Sequence, residues 1–213
     1  MKFFNLIKLS LVGMVFLMSS PVMALITGSA HDFSNGTNNT WNTTGEICVV
    51  CHTPHNAPGA ASGPLWNAGV TTQSYTLYSS PLGTLDATPL GQPSGASILC
   101  LSCHDGTLGV DSFGGGNTLI GTIESRLDFG TDLSDDHPIS FTFDDTLAST
   151  DGELNTPSTF VTAIGSTIQV DMLFSDRVEC ASCHDVHNTN VAGSYLLKID
   201  NAGSDLCLTC HNK

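Results

Sequence analysis

The sequence predicts a mostly irregular fold with short helices, a few β-strands and a small α+β content. Glycine, serine, threonine and asparagine are abundant, with 21 glycines among 213 residues, and few long stretches show a periodic apolar pattern. Signals for helix starts are short and local, and each precedes a Cys-X-X-Cys segment. The candidate N-caps are Ser97, Asp176 with Glu179 three residues later, and Ser204. We therefore expect several cysteine segments to lie on one or two helical turns.

Strand-like alternation appears in two segments outside the cysteine motifs. One is Ile139 to Phe143, and the other is Phe160 to Leu173, which is rich in β-branched residues at its centre. The second segment is predicted to form a hairpin with Gly165 at its turn. The segment Ser34 to Gly45 is too polar to pack alone, and it is predicted to be a mobile arm or a segment ordered by a partner.

Four copies of Cys-X-X-Cys-His use all eight cysteines of the chain. At this spacing two thiols bond the vinyl groups of a porphyrin, and the adjacent imidazole meets the iron from one face. A structural zinc site or a redox dithiol is the alternative for any single Cys-X-X-Cys. Because a histidine follows each of the four, we predict four covalently bound haems c. The motifs are Cys48, Cys51 and His52; Cys100, Cys103 and His104; Cys180, Cys183 and His184; and Cys207, Cys210 and His211.

The four predicted haems also bear on the fold. They are large, flat and apolar, whereas the chain has few apolar stretches of its own. We therefore expect the short helices and strands to be organised around a stack of four covalent haems, which supply much of the buried surface.

Four histidines lie outside the motifs, which matches the predicted haems one to one. Methionine is the usual competitor for the sixth position of the iron, but only Met172 remains outside the predicted leader peptide. We therefore predict two histidine ligands for every haem. An ordinary surface or hydrogen-bonded role is the alternative for each single histidine. The predicted distal ligands are His31, His55, His137 and His187.

Spacing restricts which haem a distal histidine can serve. The α-carbons of two ligands on opposite faces of a haem lie roughly 12 Å apart, whereas three residues span at most about 10 Å. His55 is therefore predicted to serve a haem other than that of His52. By the same argument His187 serves a haem other than that of His184. Each of these segments would hold two haems in close contact.

A repeat becomes visible once the free histidines are included. Each half contains a free histidine, then Cys-X-X-Cys-His-X-X-His, then a plain Cys-X-X-Cys-His motif. We predict two dihaem structural repeats within a domain of residues 25–213, at about 25–115 and 116–213. They meet in the glycine-rich stretch Asp111 to Thr122.

The first 24 residues have the pattern of a secretory signal peptide. Lys2 and Lys8 precede a short apolar core, and Val22-Met23-Ala24 forms a small-residue cleavage site. An N-terminal membrane anchor is the alternative, but the apolar run is shorter than the roughly 18 residues that a span needs. We expect an exported protein with no membrane span after cleavage.

The predicted mature chain is strongly acidic. Without the two leader lysines it has 4 basic and 20 acidic residues, a net charge of −16. This charge excludes nucleic acid as a natural partner and argues against anionic membrane surfaces, because both require basic patches. A charged partner should be basic, although the charge also serves solubility.

The motif segments resemble the doubled-CxxCH multihaem cytochromes of bacterial respiration. The resemblance is carried by Cys48-Val-Val-Cys51-His52-Thr-Pro-His55-Asn and by Cys100-Leu-Ser-Cys103-His104-Asp-Gly-Thr. Four haems on a small exported chain with spare histidines are most similar to the OmcE-type tetrahaem cytochromes, which form extracellular filaments. The resemblance implies electron transfer, redox partners such as other cytochromes, and a homopolymer with head-to-tail contacts. It also implies a location outside the cell or on its outer surface.

Other functions stay open alongside the filament subunit. They are a monomeric periplasmic electron shuttle, a multihaem oxyanion reductase and a purely structural filament protein. A reductase needs an iron with an open position, often beside a basic cluster. We expect an electron carrier without a substrate-transforming site, because the basic residues beyond the leader are only Arg126, Arg177, Lys198 and Lys213.

The resemblance also implies that an axial histidine is donated across the subunit boundary. His31 lies early in the predicted mature chain and precedes the polar arm. It is therefore predicted to complete a haem in the adjacent protomer, through a head-to-tail contact that generates fibres. His137 is the next candidate for this role.

Overall fold

The computed structural model describes residues 26–34, 41–57, 63–79, 85–87, 89–115, 127–187 and 195–213. Regular structure within these ranges is short. The helices are Gly95–His104 (α1), Asp145–Asp151 (α2), Ile168–Asp171 (α3), Cys180–Cys183 (α4) and Asp205–Cys210 (α5), and the strands are Phe141–Thr142 (β1) and Arg177–Val178 (β2). The strands form one antiparallel pair. The predicted irregular fold with a small α+β content is confirmed.

Several predictions concern residues outside this description. They are the leader peptide of residues 1–24, residues 35–40 of the polar arm, residues 116–122 of the repeat boundary, and Arg126. Among the described residues, no helix has the length and apolar character that a membrane span requires.

The attachment motifs lie on short helical turns. The second motif forms the end of α1, the third lies on α4, and the fourth lies on α5. The first motif is a single turn in which the N–H groups of Cys51 and His52 both donate to the carbonyl of Cys48, at 3.2 and 2.8 Å.

Two of the three predicted N-caps are wrong. α1 begins after Ser94, whereas Ser97 lies inside the helix with its hydroxyl on the buried Glu179. Glu179 is itself the N-cap of α4, in a reciprocal capping box with Ser182. The two errors have different causes: a carboxylate distant in sequence takes the hydroxyl of Ser97, whereas α4 begins later than predicted, with Glu179 in place of Asp176 as its cap. Ser204 is confirmed as the N-cap of α5.

The predicted hairpin is correct at its turn and wrong beyond it. Gly165 adopts φ +119°, which favours glycine, and Thr162 N–H donates to the carbonyl of Ser166 at 2.8 Å. The segment that follows is α3 instead of a second strand. Helical geometry buries both Ile168 and Met172, four residues apart, in the core. Packing therefore overrides the β-branched composition.

The other predicted strand segment is partly confirmed. It contains β1, whose partner is β2. Thr142 pairs with Arg177 and Phe141 with Val178, so this pairing brings the chain just before α4 alongside the segment after His137.

The described flanks of the polar arm are packed against their own chain. Trp41 contacts the rings of Phe33 and Phe113, with centroids 5.3 and 6.1 Å apart. Asn42 is buried, and its amide donates to the carbonyls of Phe33 and Glu46 at 2.9 and 3.1 Å. The prediction of an arm that cannot pack alone is wrong for these flanks, because buried hydrogen bonds satisfy the polar side chain.

Two apolar clusters support the motif helices. The larger includes Phe143, Ile168, Met172 and Leu206, and the cysteines at 183 and 210 pack against it. The smaller contains Tyr75, Leu101 and Leu133. Leu101 belongs to α1 and Leu206 to α5, so each cluster fixes a helix that carries an attachment motif.

Candidate haem sites

The four motifs share one anchoring position, immediately before the second cysteine. The side chain at this position is buried in every motif, with an exposed fraction between 1% and 6%. The cysteines are exposed or half-buried. Each turn thus fixes the residue between its two cysteines more deeply than the cysteines themselves. The anchoring residues are Val50, Ser102, Ser182 and Thr209.

Thiols from successive motifs lie beside one another. The pKa of Cys103 is raised to about 12, chiefly by burial and then by the neighbouring Cys51 thiol. A hydrogen bond with Cys180 is the first cause that raises the pKa of Cys100. Burial, followed by Cys207 of the fourth motif, raises the pKa of Cys183. The four attachment points therefore follow one another in space in the order of the sequence.

Three motif histidines hydrogen-bond through Nδ1 to a backbone carbonyl later in the chain. Because a carbonyl only accepts, Nδ1 must carry the proton in each bond, which leaves Nε2 free to bind a metal. The pairs are His52 with Pro64 at 3.0 Å, His104 with Leu127 at 2.9 Å, and His184 with Tyr195 at 2.9 Å.

Six of the eight histidines form three ring pairs. Each pair joins one motif histidine to one free histidine. The pairs and their centroid distances are His31 with His104 at 6.1 Å, His52 with His187 at 6.1 Å, and His137 with His211 at 6.3 Å.

These separations fit a metal ion held between two imidazoles. With metal–nitrogen bonds of roughly 2 Å, two rings on opposite faces of an iron have centroids roughly 6 Å apart. Other aromatic contacts in the chain have similar distances, so the exclusive pairing of motif with free histidines is the informative feature. The described residues contain no group of three or more His, Cys, Asp or Glu side chains arranged for a bare metal ion.

A family model described as "Doubled CXXCH motif" matches residues 174–213. The match spans α4, α5 and the chain between them, so it covers the third and fourth motifs. No curated protein gives a match to the chain.

These findings indicate a multihaem c-type cytochrome. The motifs indicate covalently bound haem c with iron, and electron transfer is the function that they suggest. The residues of the cytochrome fit this group, since they supply paired thiols, an adjacent imidazole with a free Nε2, and a second imidazole at a suitable distance for three of the motifs.

His31 lies inside its own chain against His104, a placement that favours a ligand within the chain, whereas the predicted donation to an adjacent protomer stays a prediction. It is mostly buried against His104, and Nδ1 has no hydrogen-bond partner. Burial, followed by the charges of His104 and His184, lowers the pKa of His31 to about 4. A structural histidine rarely leaves a buried ring nitrogen unpaired. The packing of the chain around Trp41 explains the placement, because it returns the N-terminal segment to the body of the cytochrome.

His187 lies beside the histidine of the first motif. Its ring faces His52 at an interplanar angle of 24°. This placement agrees with the spacing argument for His187, whereas the ligation itself stays a prediction. His137, the second candidate for a contact between protomers, pairs with His211 of its own chain.

His55 and His184 have no histidine ring partner among the described residues. Both side chains are exposed. His184 is nevertheless near enough to His31 to contribute to its lowered pKa. Among the described residues, the motif histidine His184 thus has no distal partner, and the free histidine His55 has no motif histidine beside it.

The first half of the cytochrome forms a characteristic return loop after its histidine-rich motif. Thr53 N–H donates to the carbonyl of Leu65 at 2.9 Å, and Asn67 N–H donates to that of Cys51 at 2.9 Å. Leu65 has φ +54°, an uncommon conformation for a residue with a side chain. This loop presents the carbonyl that receives Nδ1–H of His52.

The second half repeats the hydrogen bonds that close this loop. Asp185 N–H donates to the carbonyl of Leu196 at 2.7 Å, and Lys198 N–H donates to that of Cys183 at 2.9 Å. Leu196 repeats the positive φ, at +60°. The loop again presents the carbonyl that receives Nδ1–H of His184. The two histidine-rich motifs are therefore structurally equivalent, although the boundary at residues 115 and 116 stays a prediction.

Sequence reasoning missed the residues that support the motifs. Pro64, Leu127 and Tyr195 act through backbone carbonyls, which carry no side-chain signal. The sequence predicts Glu179 only as a capping partner, yet its exposed fraction is 2% and it joins several elements. The only sequence signal was a glutamate directly before a Cys-X-X-Cys segment, and its need for partners follows from its burial in the structure.

Proposed function

We propose that the cytochrome transfers electrons through four covalent haems c, each held by two histidines, as a subunit of an extracellular filament. The observation that carries this proposal is the exclusive pairing of three motif histidines with three free histidines. A bound haem supplies a one-electron iron couple. The two imidazoles of each pair would occupy both axial positions and so exclude a substrate from the iron.

The order of the thiols supports a continuous path. Neighbouring thiols come from motifs one and two, two and three, and three and four. The chain thereby holds the attachment points of successive haems side by side. The proposed path between successive haems runs within one chain, without a second protein between them. Other cytochromes are the proposed donors and acceptors.

The repeat supports a head-to-tail polymer. Within one chain, the ring of His187 from the second half faces the ring of His52 in the first half. The equivalent of His187 in the first half is His55, and the equivalent of His52 in the second half is His184. If neighbouring copies are related in the same way as the two halves of one chain, His55 of one copy reaches His184 of the next. Such a contact joins two different surfaces and does not close, so it generates a fibre.

The test compares His55→Ala with His31→Ala. Each variant removes one predicted distal imidazole, but only His55 is proposed to cross between copies. We expect His55→Ala to remain monomeric in electron micrographs, whereas His31→Ala should form filaments that contain one high-spin haem per subunit. Wild-type filaments should be low-spin throughout and carry four haems by denaturing mass spectrometry.

Filaments of normal length from His55→Ala would contradict the crossing ligand. Wild-type protein that stays monomeric at high concentration would favour the periplasmic shuttle.

A reductase is a second candidate, favoured by the unpaired His184. An iron at this motif would have an open position in the isolated chain. Carbon monoxide binding separates the two functions. The electron carrier should bind about one equivalent as a monomer and almost none as a filament, whereas a reductase would keep its binding site in the assembled state.

A further inference from the structure

Glu179 is a buried carboxylate between two attachment helices. It precedes Cys180, and its side chain is 2% exposed. Ionised groups are rarely buried to this degree unless they are paired and hydrogen-bonded. None of the histidine pairs involves it, so iron ligation does not account for its position.

The carboxylate accepts hydrogen bonds from several donors. Oε2 accepts from Ser97 Oγ, from Ser97 N–H at 3.3 Å, and from Ser140 Oγ at 2.8 Å. Oε1 accepts from Arg177 Nε at 3.3 Å. The capping box adds the backbone N–H of Ser182. Such a set of donors suits a charged carboxylate.

Both hydroxyl groups accept a backbone N–H and keep their own proton for another acceptor. Ser97 Oγ accepts from Cys180 N–H at 3.0 Å and donates to Glu179. Ser140 Oγ accepts from Ser94 N–H at 3.0 Å, and Glu179 at 2.8 Å is a nearer acceptor for its proton than the Ser94 carbonyl at 3.4 Å.

This network joins the starts of α1 and α4. Ser97 lies one turn before Cys100 on α1, and Glu179 lies directly before Cys180 on α4. The thiols of the two cysteines interact with each other. Gly95 makes room for the carboxylate, because a Cβ there would lie 3.0 Å from Oε1 and the residue has φ +53°.

We infer that Glu179 is a positioning residue that holds the second and third haems in fixed contact, and that its buried charge lowers the reduction potentials of these two haems. The inference rests on the proposed electron-transfer function. A ferric haem carries one more positive charge than a ferrous haem, so a nearby negative charge in a medium of low dielectric favours the oxidised state.

Arg177 offsets part of this effect. Its side chain is 34% exposed, so water screens its charge more than that of the buried carboxylate. Removal of the two charges should therefore move the same two potentials in opposite directions. Opposite shifts of these reduction potentials in the two variants are specific to an electrostatic role.

The experiment is a spectroelectrochemical titration of haem-loaded Glu179→Gln, Glu179→Asp and Arg177→Gln. In Glu179→Gln we expect the ferric-to-ferrous ratio of two haems to fall about tenfold at a fixed potential, an upward shift of about 59 mV for a one-electron couple. Glu179→Asp should retain the low potentials. Arg177→Gln should lower the same two potentials, and it keeps the test decisive if Glu179→Gln does not fold.

Glu153→Gln is the matched control. This carboxylate is 61% exposed and pairs with Lys213, so its removal should leave the second and third haems unchanged. Unchanged potentials in Glu179→Gln, or an equal shift of all haems, would overturn the inference if the variant still carries four haems. A wild-type protein with fewer haems or with no low-spin haem would instead contradict the proposed function.

Discussion

His31 shows how burial of a single ligand sets the acid sensitivity of a haem. Its pKa is lowered from 6.5 to about 4, chiefly by burial. The unfolded state therefore binds a proton at higher pH than the folded state does. The stability that depends on neutral His31 is complete above pH 6.5 and is lost as the pH falls through about 4. Protons should compete with iron for this imidazole only in that lower range.

We therefore predict that the haem served by His31 is the last to lose its distal ligand on acidification. High-spin iron should be followed by electron paramagnetic resonance from neutral pH to pH 3. The final low-spin to high-spin step should come below the steps of the other haems and be absent from His31→Ala, because the low pKa of this imidazole weakens the competition from protons. A final step at pH 6 or above would contradict the buried placement.

The partner of each histidine could not be read from the sequence. The residue types and the four motifs were sufficient to predict attachment and ligand candidates. The spacing argument could exclude His52 as the partner of His55, but it could not choose among the remaining motifs. The choice depends on long-range packing, as in the return of the N-terminal segment that carries His31 to His104.

At the scale of elements, α3 shows why a core position outweighs local propensity. Ile168 is completely buried in the cluster that also contains Leu206 of α5. Ile168→Ala should reduce the free energy of unfolding by about 2 to 5 kcal/mol, from lost burial and the cavity left behind. Denaturant unfolding of the haem-loaded protein measures the change.

Val170→Ala is the control for this prediction. Val170 lies on the same short helix and is 69% exposed. Its replacement should change the free energy of unfolding by no more than about 0.5 kcal/mol. Equal effects of the two substitutions would show that burial in this cluster does not determine stability.

The elements were predictable where their signals are local. The turns that carry the motifs and the turn at Gly165 follow from nearby residues. The start of α1 and the partner of β1 do not, because Ser97 bonds Glu179 from 82 positions away and β1 pairs with a segment beyond α3. Contacts over such separations leave no periodic pattern in the sequence.

At the scale of the whole molecule, charge opposes the proposed assembly. The full chain has a formal net charge of −14. Copies that meet head to tail should repel each other at low ionic strength, and salt should screen this repulsion. We predict that the fraction of protein in filaments, measured by sedimentation, rises between 10 mM and 500 mM salt. Dissolution of the filaments by salt would indicate contacts dominated by opposite charges.

The composition was sufficient to predict the general character of this molecule. Many small polar residues and few periodic apolar stretches indicate an irregular chain, and the two modest apolar clusters agree. The equivalence of the two return loops was not predictable, because it depends on backbone geometry at Leu65 and Leu196 and not on matching side chains.

The contact between His52 and His187 also has a consequence for how the protein is made. Synthesis proceeds from the N-terminus, so the first motif exists long before the residue that faces it. On the proposed ligand set, a nascent chain or a proteolytic fragment that ends before His187 would have a five-coordinate haem at its first motif. Such iron is open to oxygen and peroxide, so truncated products should be more vulnerable to oxidative damage than the complete chain. The haem at the first motif is thus protected only once the chain extends as far as His187.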